Sequence, residues 1–323
     1  MSKKGSLIHQ IVSKCTGLRL GASTASKNSL VQYKNAAIKF GQWCVQHRGC
    51  HSYDDIADDI VNHLNAYSKW LQAEGKSAAT IHTYIAGCCV AWQVPMEEIK
   101  KPIRHCYENT RSRGEKAVDR RKDAKREASP RLYDFAQFVL VRRHEYLALR
   151  QSDFVKDESG YDCVLVRKGK GGKRQLQRIL PENVEFMQNY FNGSEEFVFT
   201  KDEMNNKIDL HAIRGIGARR EYEYYLNRLR TEPGYRAQLE KEIGARWELY
   251  RGALPKKSQK THEWEWDVSK VRGTYYLRGK NRQCAAEKGL AVAYDRCAVM
   301  AVSVFHLSHW RCDVTIDNYL LAV

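Results

Sequence analysis

Four short segments of the chain carry cationic, histidine and tyrosine side chains at close spacing. In chain order they are residues 142–150, 169–173, 211–214 and 307–319. Guanidinium groups can hold the non-bridging oxygens of a phosphodiester through paired hydrogen bonds, and the charge on those oxygens grows in a pentavalent transition state. A tyrosine hydroxyl has an ordinary pKa of about 10, so it needs cationic surroundings to act as a nucleophile at neutral pH. Side chains of these types can act together on a phosphodiester, but they are common in proteins, so their order along the chain has to identify the chemistry.

The composition favours an anionic partner without identifying it. The chain has 323 residues, with 54 Lys and Arg against 38 Asp and Glu, which gives a net charge of +16. Clustered cations bind polyanions by displacing counterions from phosphates. At 43% hydrophobic residues and with only 6 prolines, the chain can bury a core, which excludes a disordered tail and a low-complexity protein. Because there are also 18 tyrosines, composition alone selects no individual residue.

Five motifs in a fixed order single out candidates. They are R-x-x-E at Arg142 and Glu145, G-K-G around Lys170, H-x-x-R at His211 and Arg214, L-x-H ending at His309, and finally Tyr319. Each motif is weak by itself, because a pattern such as H-x-x-R occurs by chance in many proteins. In this order they resemble the catalytic domain of the tyrosine recombinases, the integrase family of phages and mobile elements. The resemblance covers about residues 26–214 and 271–323.

The resemblance implies that Arg142 and Arg214 bind the scissile phosphate. Arg143 and Arg150 could be mistaken for Arg142, but the three-residue spacing to Glu145 favours Arg142. Glu145 would orient a neighbouring cationic or histidine side chain. The alternative role for Glu145 is that of an exposed helix carboxylate.

The resemblance also implies the proton transfers and the nucleophile. Lys170, at the tip of a hairpin, would protonate the departing 5′ oxygen, with Lys173 as its rival and a generic phosphate contact as the alternative. His211 would accept or return the tyrosine proton, and His309 would hydrogen-bond the scissile phosphate, although either could be a structural histidine. Tyr319 would attack, leaving a 3′-phosphotyrosyl link and a free 5′ hydroxyl, so that religation needs neither ATP nor a metal ion.

Cysteine usage and hydropathy bear on cofactors and compartment. Cys44, His47, Cys50 and His51 lie within eight residues, but Cys44 falls on the apolar stripe of a helix and no second ligand pair follows. We therefore expect a buried cysteine beside a solvated loop rather than a zinc site. The ten cysteines include no C-x-x-C pair, no window approaches a membrane span, and the N-terminus lacks a secretory apolar region. We expect no cofactor, no metal, no membrane contact and a cytoplasmic, nucleoid-associated protein.

Elements upstream of the motifs predict a separate helical domain. Residues 1–25 are polar and lack a clear period, so we expect a flexible N-terminal segment. Helical stripes over 26–108 predict a four-helix domain, and the resemblance makes it the SAM-like core-binding domain. We expect residues 109–130 to form a basic linker. The stretch 100–131 has 12 Lys and Arg against 5 Asp and Glu, which favours contact with a phosphate backbone over a merely solvated linker.

Residues 131–323 predict a mainly helical catalytic domain with a small β-sheet, so the whole is a multidomain α and α+β fold. The segments 162–167 and 175–180 flank a basic glycine-rich turn and predict a β-hairpin. Between Arg214 and His309 lie 94 residues (309 − 214 − 1), more than in most relatives. We expect an insertion at about 220–270, either an inert surface elaboration or an added DNA clamp or protomer contact. Because only four residues follow Tyr319, we expect this insertion or the N-terminal domain to couple active sites.

Together with these features, the resemblance implies a two-domain clamp around duplex DNA that performs site-specific strand exchange, integrating or excising a mobile element. The expected partners are double-stranded DNA at a specific site, further copies in a homotetramer, and an accessory DNA-bending or directionality protein. Two alternatives stay open: a type IB topoisomerase or telomere resolvase, which would share the chemistry, and a non-catalytic DNA-binding protein. Further DNA contacts are expected at Lys76, Thr80, Tyr84, Arg113, Lys116 and Lys173.

Overall fold

The computed structural model describes residues 6–16, 27–104, 126–169, 174–205, 208–252 and 267–321. Within these ranges the chain is mainly helical, with two small antiparallel sheets. It divides into two compact units, Met1–Asn109 and Thr110–Val323. Most of the basic segment 109–130 lies outside the described ranges. No helix within them is both long enough and apolar enough to cross a bilayer.

The first unit is a helical domain with one core. Its described elements are α1 (Leu7–Thr16), α2 (Lys27–Arg48), α3 (Tyr53–Ala57), α4 (Ile60–Ala73), α5 (Ala78–Trp92) and a 3₁₀ turn, Met96–Glu98. Apolar side chains at three- and four-residue spacing on α2, α4 and α5 form this core. At its centre the Phe40 ring packs against the rings of Tyr67 and Trp92, with distances between ring centres of 5.2 and 5.3 Å. The helical stripes expected from the sequence correspond to α2, α4 and α5.

The prediction of a flexible segment over 1–25 is wrong for residues 7–16, which form α1. Leu7 and Ile11 are buried, and a Cβ placed on Gly41 of α2 would overlap the Ile11 side chain. The two helices therefore touch at that glycine. The apolar stripe of α1 spans fewer than three turns, and helices of that length are marginal without tertiary packing. Packing against α2, rather than local propensity, accounts for this helix.

Near residue 50, a cysteine and an arginine both contact the histidine His63. Cys50 Sγ lies 3.7 Å from His63 Nε2, and Arg48 Nε donates to His63 Nδ1 at 3.2 Å. Burial lowers the pKa of His63 and raises that of Cys44 to about 12. Among the described residues, no group of three or more His, Cys, Asp or Glu side chains is arranged to hold a metal ion.

The second unit carries the candidate motifs on short elements arranged around two long helices. Its helices are α6 (Pro130–Ala136), α7 (Arg143–Tyr146), α8 (Val184–Gln188), α9 (Lys201–Met204), α10 (Leu210–Thr231), α11 (Tyr235–Gly252), α12 (Gly279–Glu287), α13 (Arg296–Ala301) and α14 (Cys312–Thr315). A π-helical segment, Val302–Leu307, continues α13, and another, Ile316–Leu320, continues α14. Short 3₁₀ turns occupy Arg126–Ala128, Pro181–Asn183 and Val268–Val271.

The expected hairpin is present as part of a three-stranded antiparallel sheet. Strands β2 (Asp162–Val166) and β3 (Gln175–Arg178) pair with Val164 opposite Gln177. A third strand, β1 (Phe154–Lys156), adds to the outer side of β2 and is too short to show a sequence period. A second sheet pairs β4 (Thr274–Tyr276) with β5 (Ala293–Asp295). The hairpin tip, residues 170–173, lies outside the described ranges.

The segment expected as an insertion contributes to the main core of this unit. Tyr222 and Tyr225 on α10, and Leu239 and Ile243 on α11, are buried in the cluster that also contains Tyr319. A surface elaboration is therefore the wrong description of residues 220–252. Residues 253–266 lie outside the described part of the chain. The spacing predicted an insertion but could not show that its apolar positions face inward.

Buried ion pairs connect α11 to the three-stranded sheet. Arg178 on β3 donates to Asp157 and to Glu242, both at 2.6 Å. Arg246 on α11 donates to Asp157 and Glu158, both at 2.7 Å. Removing one partner of a buried pair leaves an uncompensated charge, which costs about 3–5 kcal/mol. This network fixes α11 on the sheet.

Candidate active site

Arg142 stands at the N-terminus of α7, where Glu145 holds it. The Glu145 carboxylate accepts a hydrogen bond from the Arg142 backbone N–H at 2.7 Å and another from Arg142 Nη1 at 3.0 Å. The Glu145 side chain is fully buried, whereas 24% of the Arg142 side chain is exposed. The buried carboxylate thus fixes one edge of the guanidinium through Nη1, and Nη2 on the other edge faces His309.

Arg143 and Arg150, the neighbours that could be mistaken for Arg142, are directed elsewhere. Arg143 donates from its guanidinium to the backbone carbonyls of Met204 and Ile208. Arg150 donates to the Glu195 carbonyl, and its guanidinium lies over the Phe197 ring. The structure therefore places Arg142, alone of these three arginines, beside Arg214 and His309.

Arg214 lies on the first turns of α10 and is 1% exposed. Its Nη2 donates to the Leu307 carbonyl oxygen at 2.9 Å. Among the described residues, its buried Nε and Nη1 atoms have no hydrogen-bond partner. Burial lowers the pKa of Arg214, the tyrosine Tyr319 opposes that shift, and the positive charge of Arg142 adds to it. The result is a buried cation with unused donors.

His309 brings the candidate residues to one point. Its Nε2 atom lies 3.4 Å from Arg142 Nη2, 3.3 Å from Arg214 Nη2 and 3.3 Å from the Tyr319 hydroxyl. A guanidinium can only donate, so Nε2 is the acceptor in both arginine contacts. The distances are at the long end of the hydrogen-bond range, and catalytic hydrogen bonds commonly tighten when substrate binds.

An unusual backbone holds His309. Ser308 and Trp310, on either side of it, have φ values of 54° and 60°. The left-handed region costs residues with a side chain about 1–3 kcal/mol each, so the surroundings must maintain it. Buried Ser303 supplies part of this support, because its carbonyl accepts from His309 N–H and its Oγ accepts from Arg311 N–H, at 2.9 and 3.1 Å.

Tyr319 lies in the π-helical segment Ile316–Leu320 and is 4% exposed. Its ring meets the His309 ring at 5.4 Å, and the Arg214 guanidinium lies 5.4 Å from its ring centre. Arg219, one turn beyond Arg214 on α10, donates to the backbone carbonyl of Tyr319 at 3.2 Å. α10 therefore contacts both the side chain and the backbone of this tyrosine.

His211 lies in the first turn of α10 and is also close to Tyr319. Its ring lies 5.7 Å from the Tyr319 ring, in an edge-to-face arrangement. The Asp209 side chain accepts from the backbone N–H groups of His211 and Ala212, which caps the helix and orients this end. The exposed His211 side chain is thus adjacent to Tyr319 in the folded chain, although 107 residues separate them (319 − 211 − 1).

The other predicted contacts lie either outside the described ranges or in the first unit. Lys170, Lys173, Arg113 and Lys116 lie outside the described ranges. Lys76 and Thr80 are at the start of α5 in the first unit, where Thr80 N–H donates to the Ser77 cap. Tyr84 on the same helix accepts a hydrogen bond from Lys39 Nζ at 3.1 Å.

Sequence reasoning missed Ser303 and Arg219. Ser303 stands within an apolar run, and it matters because it accepts hydrogen bonds from the backbone N–H groups of His309 and Arg311. Arg219 is one of many arginines on a basic helix. Neither carries a signal in the sequence that distinguishes it from its neighbours.

No family model and no curated protein matches the chain. Among solved structures, a crystal structure of XerA recombinase is similar over 66% of this chain and 83% of that chain, with 17% sequence identity and a TM-score of 0.23. A sequence identity and a TM-score this low carry no argument about activity. The functional inference therefore rests on the side chains described above.

Proposed function

We propose that this chain is a tyrosine-type site-specific DNA recombinase, which cuts and rejoins duplex DNA through a 3′-phosphotyrosyl intermediate. The observation that carries the proposal is the approach of Arg142, Arg214 and Tyr319 to His309 Nε2, within 3.3–3.4 Å. These side chains come from distant segments, α7, α10 and the C-terminal π-helical segment. Two cations beside a tyrosine hydroxyl are what attack on a phosphodiester requires.

The unused donors of Arg214 support an anionic ligand. A buried donor without a partner costs about 1–3 kcal/mol, and here both Nε and Nη1 lack one among the described residues. A phosphate oxygen would satisfy such a donor and would gain from the neighbouring charge of Arg142. The two guanidiniums would then stabilise the additional charge of the pentavalent transition state.

The closed position of the tyrosine implies a movement before reaction. Arg214 and Tyr319 are almost fully buried, so we expect the segment Ile316–Leu320 to shift when a DNA phosphate binds. The Arg219 hydrogen bond to the Tyr319 carbonyl, together with the His309 contact, holds the closed arrangement. We expect DNA binding to supply the free energy that opens it.

The proposed reaction exchanges one phosphoester for another. The Tyr319 oxygen forms a bond to phosphorus, the bond from phosphorus to the 5′ oxygen breaks, and that oxygen takes up a proton. We assign this proton to Lys170 and the acceptance of the tyrosine proton to His211. Attack by a 5′ hydroxyl on the phosphotyrosyl bond reverses the step and reseals the strand, so neither a cofactor nor ATP is consumed.

The wider role belongs to the same proposal. We assign the chain to integration or excision of a mobile element, with double-stranded DNA of specific sequence as substrate and a homotetramer as the active assembly. The +16 net charge supports DNA as the partner. Most of the 54 cations would then hold the phosphate backbone, and their contribution to binding should weaken as salt rises.

A nicked suicide duplex tests the proposal. It should carry the sequence that flanks the coding gene, with the nick placed so that the cut strand loses a short fragment. The wild-type chain should form a covalent adduct and Tyr319→Phe should form none, while Tyr294→Phe, a buried tyrosine of the same core, should react like the wild type. Binding without an adduct would indicate a DNA-binding protein instead. Relaxation of plasmids that lack the flanking sequence would indicate a topoisomerase.

A further inference from the structure

We propose that Trp247 and Tyr250 on α11 are positioning residues that hold His309 in place through Trp310, an inference that rests on the proposed function. The rings of Trp247 and Tyr250, which both contact Trp310, are called the aromatic clasp. The Trp310 ring lies 5.1 Å from the Trp247 ring, nearly edge to face, and 5.1 Å from the Tyr250 ring, stacked at 29°. The Trp247 and Tyr250 rings are 5.9 Å apart. The Trp310 side chain therefore packs against two aromatic rings of α11.

The clasp acts on the residue next to His309. Ser308 and Trp310 both adopt left-handed backbone conformations that residues with side chains disfavour. Ser303 fixes the backbone of this loop through the N–H groups of His309 and Arg311. The clasp fixes the Trp310 side chain. With the backbone and the adjacent side chain both anchored, the His309 ring is confined to the position from which Nε2 meets Arg142, Arg214 and Tyr319.

α11 gives the clasp a firm base. Trp247 is 5% exposed and lies beside Arg246, whose ion pairs to Asp157 and Glu158 attach the helix to the sheet. Glu242, one turn earlier, pairs with Arg178 on the sheet. α11, which lies in the segment predicted as an insertion, thus supports the loop that carries His309.

Two kinds of measurement on the full-length chain test this role. The variants are Trp247→Ala and Tyr250→Ala, with Tyr250→Phe as the conservative change that keeps the ring. Tyr190→Ala is the matched control, because the Tyr190 ring packs edge to face on Phe135 in the separate cluster of this unit. The first measurement is hydrogen–deuterium exchange of the peptide 303–313. The second is the rate of adduct formation on the suicide duplex, together with the dissociation constant for that duplex.

We expect exchange of peptide 303–313 to be faster by on the order of tenfold in Trp247→Ala and Tyr250→Ala, because the loop opens more often. Adduct formation should slow by about 10- to 100-fold at unchanged DNA affinity, as misplacement of a catalytic group predicts. Tyr250→Phe and Tyr190→Ala should resemble the wild type in both measurements. The Phe result separates a positioning role of the ring from a role of the hydroxyl.

The proposal is overturned if exchange rises no more in the clasp variants than in Tyr190→Ala, or if exchange rises and adduct formation stays at the wild-type rate. Failure of the proposed function gives a different pattern. A wild-type chain that forms no adduct would contradict the recombinase assignment, whereas the exchange measurement would still decide whether the clasp holds the His309 loop.

Discussion

The hydroxyl of Tyr319 lies 3.3 Å from His309 Nε2, and both residues belong to the segment that follows α13. The nucleophile candidate and its histidine neighbour are therefore set relative to each other by local structure. The arginines reach the same atom from α7 and α10. The site is thus completed only when three separate parts of the second unit are packed together.

Arg142→Ala should greatly slow adduct formation and leave the DNA affinity nearly unchanged. The guanidinium would act on charge that develops in the transition state, and removing such a donor typically costs about 10²- to 10³-fold in rate. Arg150→Ala is the control, since Arg150 contacts Glu195 and Phe197 instead. The measurement is adduct formation on the suicide duplex, with DNA affinity determined separately. An equal loss in both variants would contradict the assignment of Arg142.

Glu145→Ala should lower both stability and rate. It removes two hydrogen bonds to Arg142 from a fully buried carboxylate and leaves their donors unpaired, which costs about 1–3 kcal/mol of unfolding free energy. Urea unfolding measures this, with the exposed Glu196→Ala as control. If Glu145→Ala were as stable and as active as the control, the carboxylate would have no part in holding Arg142.

A pair of glycines on α10 separates close packing from helix propensity. A Cβ at Gly217 would overlap the Leu140 side chain and lie 3.2 Å from the Gln137 carbonyl oxygen. Gly217→Ala should therefore destabilise the chain by about 1–3 kcal/mol and slow adduct formation, because Arg214 is one turn away. At Gly215 the nearest atom would be Arg219 Nη1 at 4.0 Å, so Gly215→Ala should be neutral or stabilising by up to about 1 kcal/mol. Thermal unfolding that ranks the two in the reverse order would refute this packing.

Glu221 should make stability depend on pH. Burial raises its pKa to about 7, with the hydrogen bond from Arg220 opposing the shift. A folded-state pKa above the unfolded value gives stability that is complete below about pH 4.5 and is lost as the pH rises through 7. Glu221→Gln cannot lose a proton, so it should gain stability relative to the wild type between pH 5 and pH 8.

His306, whose Nδ1 lies 4.0 Å from the Glu221 carboxylate, does not obscure this comparison. Burial lowers the pKa of His306 to about 3, so in the folded chain it stays neutral from pH 5 to pH 8. Its titration in the unfolded chain is the same in both proteins. Urea unfolding at the two pH values gives the result, and a stability difference that does not change with pH would exclude a raised Glu221 pKa.

The motifs located the residues that meet at the candidate site, because each motif names a residue type at a definite position in the chain. Arg142, Glu145, His211, Arg214, His309 and Tyr319 were all identified from the sequence, and the structure brings them together. What the sequence could not provide is the support behind them. Ser303 acts through a backbone turn, and Trp247 and Tyr250 act through tertiary contacts, so none leaves a periodic or motif signal.

Element boundaries show the same division. The long stripes on α2, α4 and α5 were predictable because many residues share one period. α1 and β1 are too short to reveal a period, and only packing determines them. The 94-residue spacing between Arg214 and His309 predicted an insertion, but the buried faces of α10 and α11 could be seen only in the fold.

The identity of the residue joined to DNA tests the central claim most directly. The wild-type adduct from the suicide duplex should be digested with protease, and the DNA-linked peptide sequenced by mass spectrometry, while the released strand is examined for its 5′ end. We predict one link, between a 3′ phosphate and the oxygen of Tyr319, and a free 5′ hydroxyl on the other side of the break. A link through any other residue, or a 5′ phosphate at the break, would contradict the proposed mechanism.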